Sequence, residues 1–159
     1  MSTEEKKNSQ ISLDSETLSP STEKEVSEIV REIYSKKLPI EITGTGTKKV
    51  FGYNLQTAKK LSLSQLSGII DYQKEELYIK VKAGTPIEDI EKKLEENNQE
   101  LAFEPIDFGY MINGQTNKGT IGGYVACNFA GSRRFKVGSV RDHIFCLLYT
   151  SDAADDVHR

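Results

Sequence analysis

Tryptophan is missing from this chain, and cysteine, histidine and methionine occur twice each in 159 residues. Each shortage excludes a class of chemistry. Cys127 and Cys146 stand far apart, so neither a disulfide framework nor a C-x-x-C redox or zinc spacing exists, and a pair of reduced thiols is expected. His143 and His158 lie near the C-terminus with no H-E-x-x-H pattern, which leaves no histidine-based metal centre. No stretch approaches the roughly 18 consecutive apolar residues of a membrane span. The opening residues, MSTEEKKNSQ, lack the apolar centre of a secretory signal. A net charge of −3 offers no electrostatic ground for binding nucleic acid. A cytoplasmic protein without direct membrane insertion is the expectation, and the length suits one domain.

What the chain does have is a set of periodic segments separated by glycine-bearing loops. Residues 1–19 are Ser, Thr, Glu and Lys with isolated apolar side chains, which reads as a disordered leader. Thr22 followed by Glu25 forms a capping-box pattern. Val26, Ile29, Val30, Ile33 and Tyr34 then share one helical face, so a helix is expected to about Lys37. Residues 39–43 alternate and are β-branched, a short strand. It runs into Gly44-Thr45-Gly46-Thr47-Lys48, whose backbone amides and hydroxyls would form a phosphate nest or a plain β-turn. Lysine where a Rossmann fingerprint needs glycine, at 49, and threonine where a Walker loop needs lysine, at 47, exclude both of those motifs.

Residues 60–63 read as a brief strand, and 68–72 with 77–83 as a hairpin placing Leu77, Ile79, Val81 and Ala83 on one side. Thr85 and Pro86 look like the cap and first turn of a helix over 87–97 whose inner residues are Ile87, Ile90 and Leu94. Residues 101–105 read as extended, and 108–118 as a loop. Gly119 to Asp142 holds five glycines in twenty-four residues and includes a short helix, expected over 124–128 and closed by Gly131. A glycine-rich entry to a helix N-terminus is a ready anion site, from its free N–H groups and the macrodipole together. Arg133, Arg134, Lys136 and Arg141 form a basic run, read either as a phosphate or partner patch or as a solvated loop. Asp142 is either functional or a brace of its own turn, and Cys127 is read as packing. The order of elements is α+β with mixed sheets and flanking helices, not regular βαβ winding.

Four segments, PIEITGTGTK at 39–48, LSGIIDYQKEELYIKVKAGTPIEDIE at 66–91, LAFEP at 101–105 and GTIGGYVACNFAGSRRFKVGSVRD at 119–142, together carry a resemblance. In this order they resemble the first part of the FAD-binding domain of vanillyl-alcohol-oxidase type (PCMH-type) flavoproteins, and within that class the FAD-binding subunit of bacterial glycolate oxidases. The resemblance implies FAD as cofactor. Gly44, Thr45, Gly46, Thr47 and Lys48 match the loop around the pyrophosphate, and Pro105 the proline ending the extended piece beside the cofactor. Gly119, Thr120, Gly122 and Gly123 match the second loop, along the pyrophosphate and ribityl chain. Gly131, Ser132, Gly138, Ser139 and Asp142 fall in the segment near the flavin. Relatives that attach FAD covalently through the first loop carry histidine where Thr47 stands, so non-covalent binding is implied.

The implied activity is oxidation of a 2-hydroxy acid to a 2-oxo acid by a glycolate oxidase or dehydrogenase complex. A related flavoprotein subunit and an iron–sulfur subunit are the implied partners, and any place at the inner face of the cell membrane would be supplied by them. Another oxidoreductase of the class, such as a D-lactate dehydrogenase-like enzyme, and a non-catalytic assembly subunit are the alternatives. No residue stands out as the catalytic base. The domain is expected over 20–145, incomplete at its C-terminal side. Residues 146–159 depart from the pattern and resemble a translated sequencing-adaptor tail.

Overall fold

The computed structural model describes residues 16–52, 57 and 59–147. Two small layers build it. In the first, strands β1 (Thr17–Leu18), β2 (Glu41–Thr43) and β3 (Lys60–Ser62) form a parallel sheet in the order β1-β3-β2, with Leu18 and Ile42 both level with Leu61. Helix α1 (Glu23–Ser35) lies on it. Thr22 caps that helix by accepting the Glu25 N–H at 3.2 Å, and the Glu25 carboxylate accepts Ser21 N–H at 2.8 Å. Leu18, Ile29, Ile33 and Leu61 make the core between helix and sheet.

Two expectations change here. Thr17 and Leu18 are part of the sheet, and Leu18 is buried, so the leader cannot extend to 19; its residues 1–15 lie outside the described residues. The apolar face of α1 is also narrower than its period suggests. Val26, Ile29 and Ile33 are buried, but Tyr34 is 84% exposed and Val30 is at the margin, because three very short strands cover only one strip of the helix. Lys37, in the left-handed region at φ 51°, follows the helix end.

The second layer begins with the antiparallel hairpin of β4 (Ile69–Gln73) and β5 (Tyr78–Val81), paired Tyr72 to Ile79 with an irregularity between Ile69 and Asp71. Leu77 belongs to the turn, at φ 57° and largely exposed, and not to the inward row. Helix α2 (Ile87–Glu95) follows and buries Ile87, Ile90 and Leu94. Thr85 is not its cap: Pro86 holds that position, while the buried Thr85 hydroxyl donates to Lys82 O at 2.6 Å and accepts Gly68 N–H at 3.0 Å. The threonine therefore ties hairpin to helix. A second core gathers Ile87, Phe103, Tyr124 and Val140.

The segment expected to be a loop at 108–118 contains helix α3 (Phe108–Asn113). Asp107 caps it, accepting Tyr110 N–H at 2.8 Å and Asn117 N–H at 3.0 Å, and Gly114 at φ 74° ends it. Helix α4 (Ile121–Cys127) ends at Asn128, in the left-handed conformation at φ 51°, and not at Gly131. Helix α5 (Arg134–Val137) and a 3-10 turn at Val140–His143 complete the described chain. Residues 144–147, an apolar run that would suit a buried strand, form none. Phe145 is 89% exposed, with no neighbouring strand among the described residues to pair with. Residues 101–105 form no strand either, although Phe103 is buried.

Candidate cofactor site

Tertiary pairing brings the two glycine loops together. The approach to α4 runs antiparallel to the approach to α2. Thr120 bridges to Pro86, Ile87 N–H donates to Gly119 O and Ile121 N–H to Thr85 O, both at 2.9 Å. Gly122 N–H donates to Ala83 O at 2.9 Å, and Gly123 N–H to Thr120 Oγ1 at 3.3 Å. The first three amides of α4 are therefore all occupied. The free donors expected at this helix N-terminus are not there.

They lie across from it. Among the described residues, the N–H groups from Gly44 to Lys48, just after β2, have no acceptor. This loop packs directly on the second one. A β-carbon at Gly119, whose φ is +90°, would stand 2.7 Å from Thr47 Oγ1 and 3.0 Å from Lys48 Nζ. A β-carbon at Gly44 would collide with the buried Thr120 side chain. Gly122 faces inward: a β-carbon there would be 2.8 Å from Ala83 O. Its glycine is thus explained by packing inside the protein.

Lys48 occupies the gap. Its Nζ lies 4.0 Å from the centroid of the Tyr124 ring, 5.5 Å from that of Phe108, and 3.5 Å from Lys118 O. Burial pushes its ammonium below the usual lysine range, partly offset by Cys127 and Glu88. Tyr124 is fully buried and its hydroxyl donates to Ile106 O; burial raises its pKa strongly, so it stays neutral. Phe51, Phe108 and Phe129 cluster beside the lysine, with Phe51 and Phe108 centroids 5.0 Å apart. The strand of chain leading into the second loop is pinned to α2, with Lys118 N–H on Glu88 at 2.6 Å and Lys118 Nζ on Glu91 at 2.6 Å.

The remaining sequence-selected residues form a separate, braced segment. Pro105 is half-buried beside Ile106, the residue that receives the Tyr124 hydroxyl. Gly131 leaves room for Glu104, whose carboxylate accepts Arg133 N–H at 3.0 Å; Ser132 is exposed. Beyond Gly138, Ser139 and Asp142 make a capping box, and the Ser139 amide and hydroxyl hold the Asp142 carboxyl below its usual range. Of the basic run, Arg141 donates to Val125 O and Ala126 O at 3.0 Å each, and Arg133 stands 3.6 Å from Glu104, while Arg134 and Lys136 are exposed. His143 turns its Nε2 to Val137 O at 2.7 Å. Phe51, Phe108, Tyr124, Phe129 and Glu88 escaped the sequence reading. An aromatic directly after Gly122-Gly123 was the only hint of Tyr124, because nothing local marks a ring as a platform.

An apolar cavity of about 550 Å³ lies elsewhere, between α1 and β2, lined by Val30, Tyr34, Leu38 and Ile42 among others. It includes neither loop and is the uncovered margin of the first layer. The loops, by contrast, offer unpaired amides, the Thr45 and Thr47 hydroxyls and an ammonium with unfilled donors. This donor set fits a dinucleotide diphosphate.

Comparison with known proteins agrees. The family described as "FAD binding domain" matches residues 16–151. Glycolate oxidase subunit GlcE of Escherichia coli (strain K12) is 38% identical over 117 residues, covering 74% of this chain and 31% of that protein. D-lactate dehydrogenase of Anaerostipes hadrus is 31% identical over 121 residues, covering 76% of this chain and 24% of that protein. The chain thus spans a third or less of the length of these relatives. A solved structure of alkyldihydroxyacetonephosphate synthase superposes with a TM-score of 0.58 at 18% identity over 79% of this chain and 23% of that one, a likeness of fold. With the family's profile running through both loops and all the described elements, the chain belongs to the FAD binding domain family.

Proposed function

We propose that this chain forms the FAD-holding part of a flavin-dependent oxidoreductase acting on a 2-hydroxy acid, with glycolate as the leading substrate. The observation that carries it is the meeting of the Gly44–Lys48 loop, with its unpaired amides, and the Gly119–Gly123 loop around a half-buried ammonium. Bound FAD supplies a two-electron acceptor for a hydride from the α-carbon of the hydroxy acid.

The chain's own residues hold it. Amides of Gly44, Thr45, Gly46, Thr47 and Lys48 would hold the diphosphate, joined by the Thr45 and Thr47 hydroxyls and Lys48 Nζ. Gly119, Thr120 and Gly123 line the facing wall, and Gly122 keeps that wall docked on Ala83. Pro105, Gly131, Ser132, Gly138, Ser139 and Asp142 shape the backbone toward the flavin; Asp142 acts there as a brace of Ser139. Threonine at 47 has no nucleophilic nitrogen, so FAD is held non-covalently.

The name of the glycolate oxidase relative as a subunit supports assembly with other subunits; a related flavoprotein and an iron–sulfur protein are the partners this reading implies. Cys127 and Cys146 are separate exposed thiols and form no cluster-binding set within these residues. A cytoplasmic place, at the inner face of the cell membrane through such partners, belongs to the same reading; no helix among the described residues is long and apolar enough to cross a membrane. The D-lactate dehydrogenase relative favours D-lactate as the second substrate reading.

The test is to purify the full-length protein, record its visible spectrum, and follow reduction of an artificial acceptor with glycolate and with D-lactate. Flavin absorption with glycolate turnover is expected, and trichloroacetic acid should release all the yellow colour into the supernatant. D-lactate turnover alone would select the second reading. Absence of flavin bands after reconstitution with FAD would leave a non-catalytic subunit and refute the proposal.

A further inference from the structure

We propose that Tyr124 is a positioning residue for the cofactor: its buried ring holds the Lys48 ammonium between the two glycine loops, and this ammonium supplies the positive charge toward the diphosphate. The inference rests on the FAD reading above and goes beyond it by assigning the charge and its support.

Three observations converge. First, α4 offers little of its own, since Ile121, Gly122 and Gly123 spend their N–H groups on Thr85 O, Ala83 O and Thr120 Oγ1. Second, Lys48 is half-buried without an acidic partner. Lys49 pairs with Glu41 at 2.7 Å and Lys118 with Glu91 at 2.6 Å, whereas among the described residues no carboxylate is in salt-bridge contact with Lys48. Its one hydrogen bond, to Lys118 O at 3.5 Å, is long, so most of its donor capacity is unfilled. Removing a cation from water without pairing is costly, and an anion arriving at the gap would relieve that cost.

Third, the ring beneath it is immobile. Tyr124 is 0% exposed, packs among Ile87, Phe103 and Val140, and is anchored by its hydroxyl on Ile106 O. A free lysine loses much rotamer freedom when an anion fixes it; a lysine already held 4.0 Å over a fixed ring has lost part of it beforehand. The missing side chains at Gly119 and Gly123 leave the space, as β-carbons there would stand 3.0 Å and 3.8 Å from Lys48 Nζ. Nearby Glu88 accepts the Lys118 N–H and makes no salt bridge to Lys48, so its charge offsets the burial of the ammonium only in part, and the Tyr124 hydroxyl stays neutral.

The experiment is FAD titration of the full-length apoprotein, read by flavin fluorescence, in Lys48→Met, Tyr124→Phe, Tyr124→Leu and the Lys48→Met/Tyr124→Leu double variant. Lys48→Met should weaken FAD about ten- to hundredfold, the range for a hydrogen bond to a charged group. Tyr124→Phe keeps the ring and should stay within about threefold of wild type. Tyr124→Leu should match Lys48→Met, and the double variant should be within about twofold of Lys48→Met alone, because both changes remove one device.

Equal loss from Tyr124→Leu in both backgrounds would mean the ring serves only the fold and would overturn the inference. So would wild-type affinity in Lys48→Met, which leaves the FAD reading itself intact. No FAD uptake by the wild type would overturn both. If Tyr124→Leu fails to fold, the salt dependence of the FAD dissociation constant decides. Wild type and Tyr124→Phe should share one slope and Lys48→Met should show a shallower one; three equal slopes would overturn the inference.

Discussion

Gly122 offers the sharpest separation between a residue that touches a ligand and one that lets the protein close on itself. In sequence it looks like a site of close cofactor approach, and its loss should then abolish FAD uptake while Arg134→Ala leaves uptake intact. In the fold, a β-carbon at Gly122 would meet Ala83 O at 2.8 Å and Ala83 Cβ at 3.0 Å, both on a rigid piece of chain. Gly122→Ala must push the first turn of α4 off the approach to α2. Overpacking of this kind costs about 1–3 kcal/mol. The shift also weakens the bonds from Gly122 N–H to Ala83 O and from Ile121 N–H to Thr85 O, at about 0.5–1.5 kcal/mol each. Alanine regains about 1 kcal/mol of helix propensity. The net expectation is a loss of about 3 kcal/mol, or a fall of about 6–12 °C in the melting temperature of a domain this size. Thermal unfolding of the FAD-free protein reads it directly. Gly46→Ala is the contrast: at φ +78° it meets nothing closer than Lys49 Cε at 3.4 Å, so it should cost about 1–2 kcal/mol of strain and lower FAD affinity more than stability. A Gly122→Ala protein that melts like wild type without FAD yet fails to bind it would refute the packing argument.

Two further expectations follow from named contacts. Burial lowers the Lys48 pKa from its ordinary 10.5, so the native state sheds its proton before the unfolded state does. Between the lowered value and 10.5 the unfolded chain binds more protons, and the Lys48 contribution to FAD-free stability rises with pH. FAD affinity should fall over the same window, as the ammonium is lost. The difference between wild type and Lys48→Met, measured for both quantities from pH 7 upward, should show these opposite slopes; slopes of the same sign would contradict the assignment. At the other end of α4, Arg141 closes two carbonyls, Val125 O and Ala126 O, at 3.0 Å each, while Arg134 is exposed. Arg141→Ala should therefore cost about 1–2 kcal/mol in urea unfolding and Arg134→Ala less than about 0.5 kcal/mol; the reverse order would show that the basic run works as a surface charge patch.

Local pattern sufficed wherever an element carries its own period. The cap at Thr22, the buried row Val26, Ile29 and Ile33, the hairpin around Gln73 to Leu77 and the inner face Ile87, Ile90 and Leu94 were all readable because spacing of 3.6 or 2 residues repeats within each. Helix α3 was not: six residues are too few for a period, and its signals were only Asp107 before it and Gly114 after it. Thr85 misled for a related reason. A threonine before proline is a plausible cap in sequence, but the nearby hairpin supplied Gly68 N–H and Lys82 O as better partners for its hydroxyl.

By itself, the sequence determined the α+β class, the family and the two glycine loops, because these depend on residue types that force local backbone geometry. Only the tertiary structure decided which loop keeps free amides, that Gly122 faces Ala83, and that Lys48 rests on Tyr124. Each of those outcomes is a competition for one donor or one volume between groups distant in the chain. Such a competition is settled by packing, which no local pattern encodes.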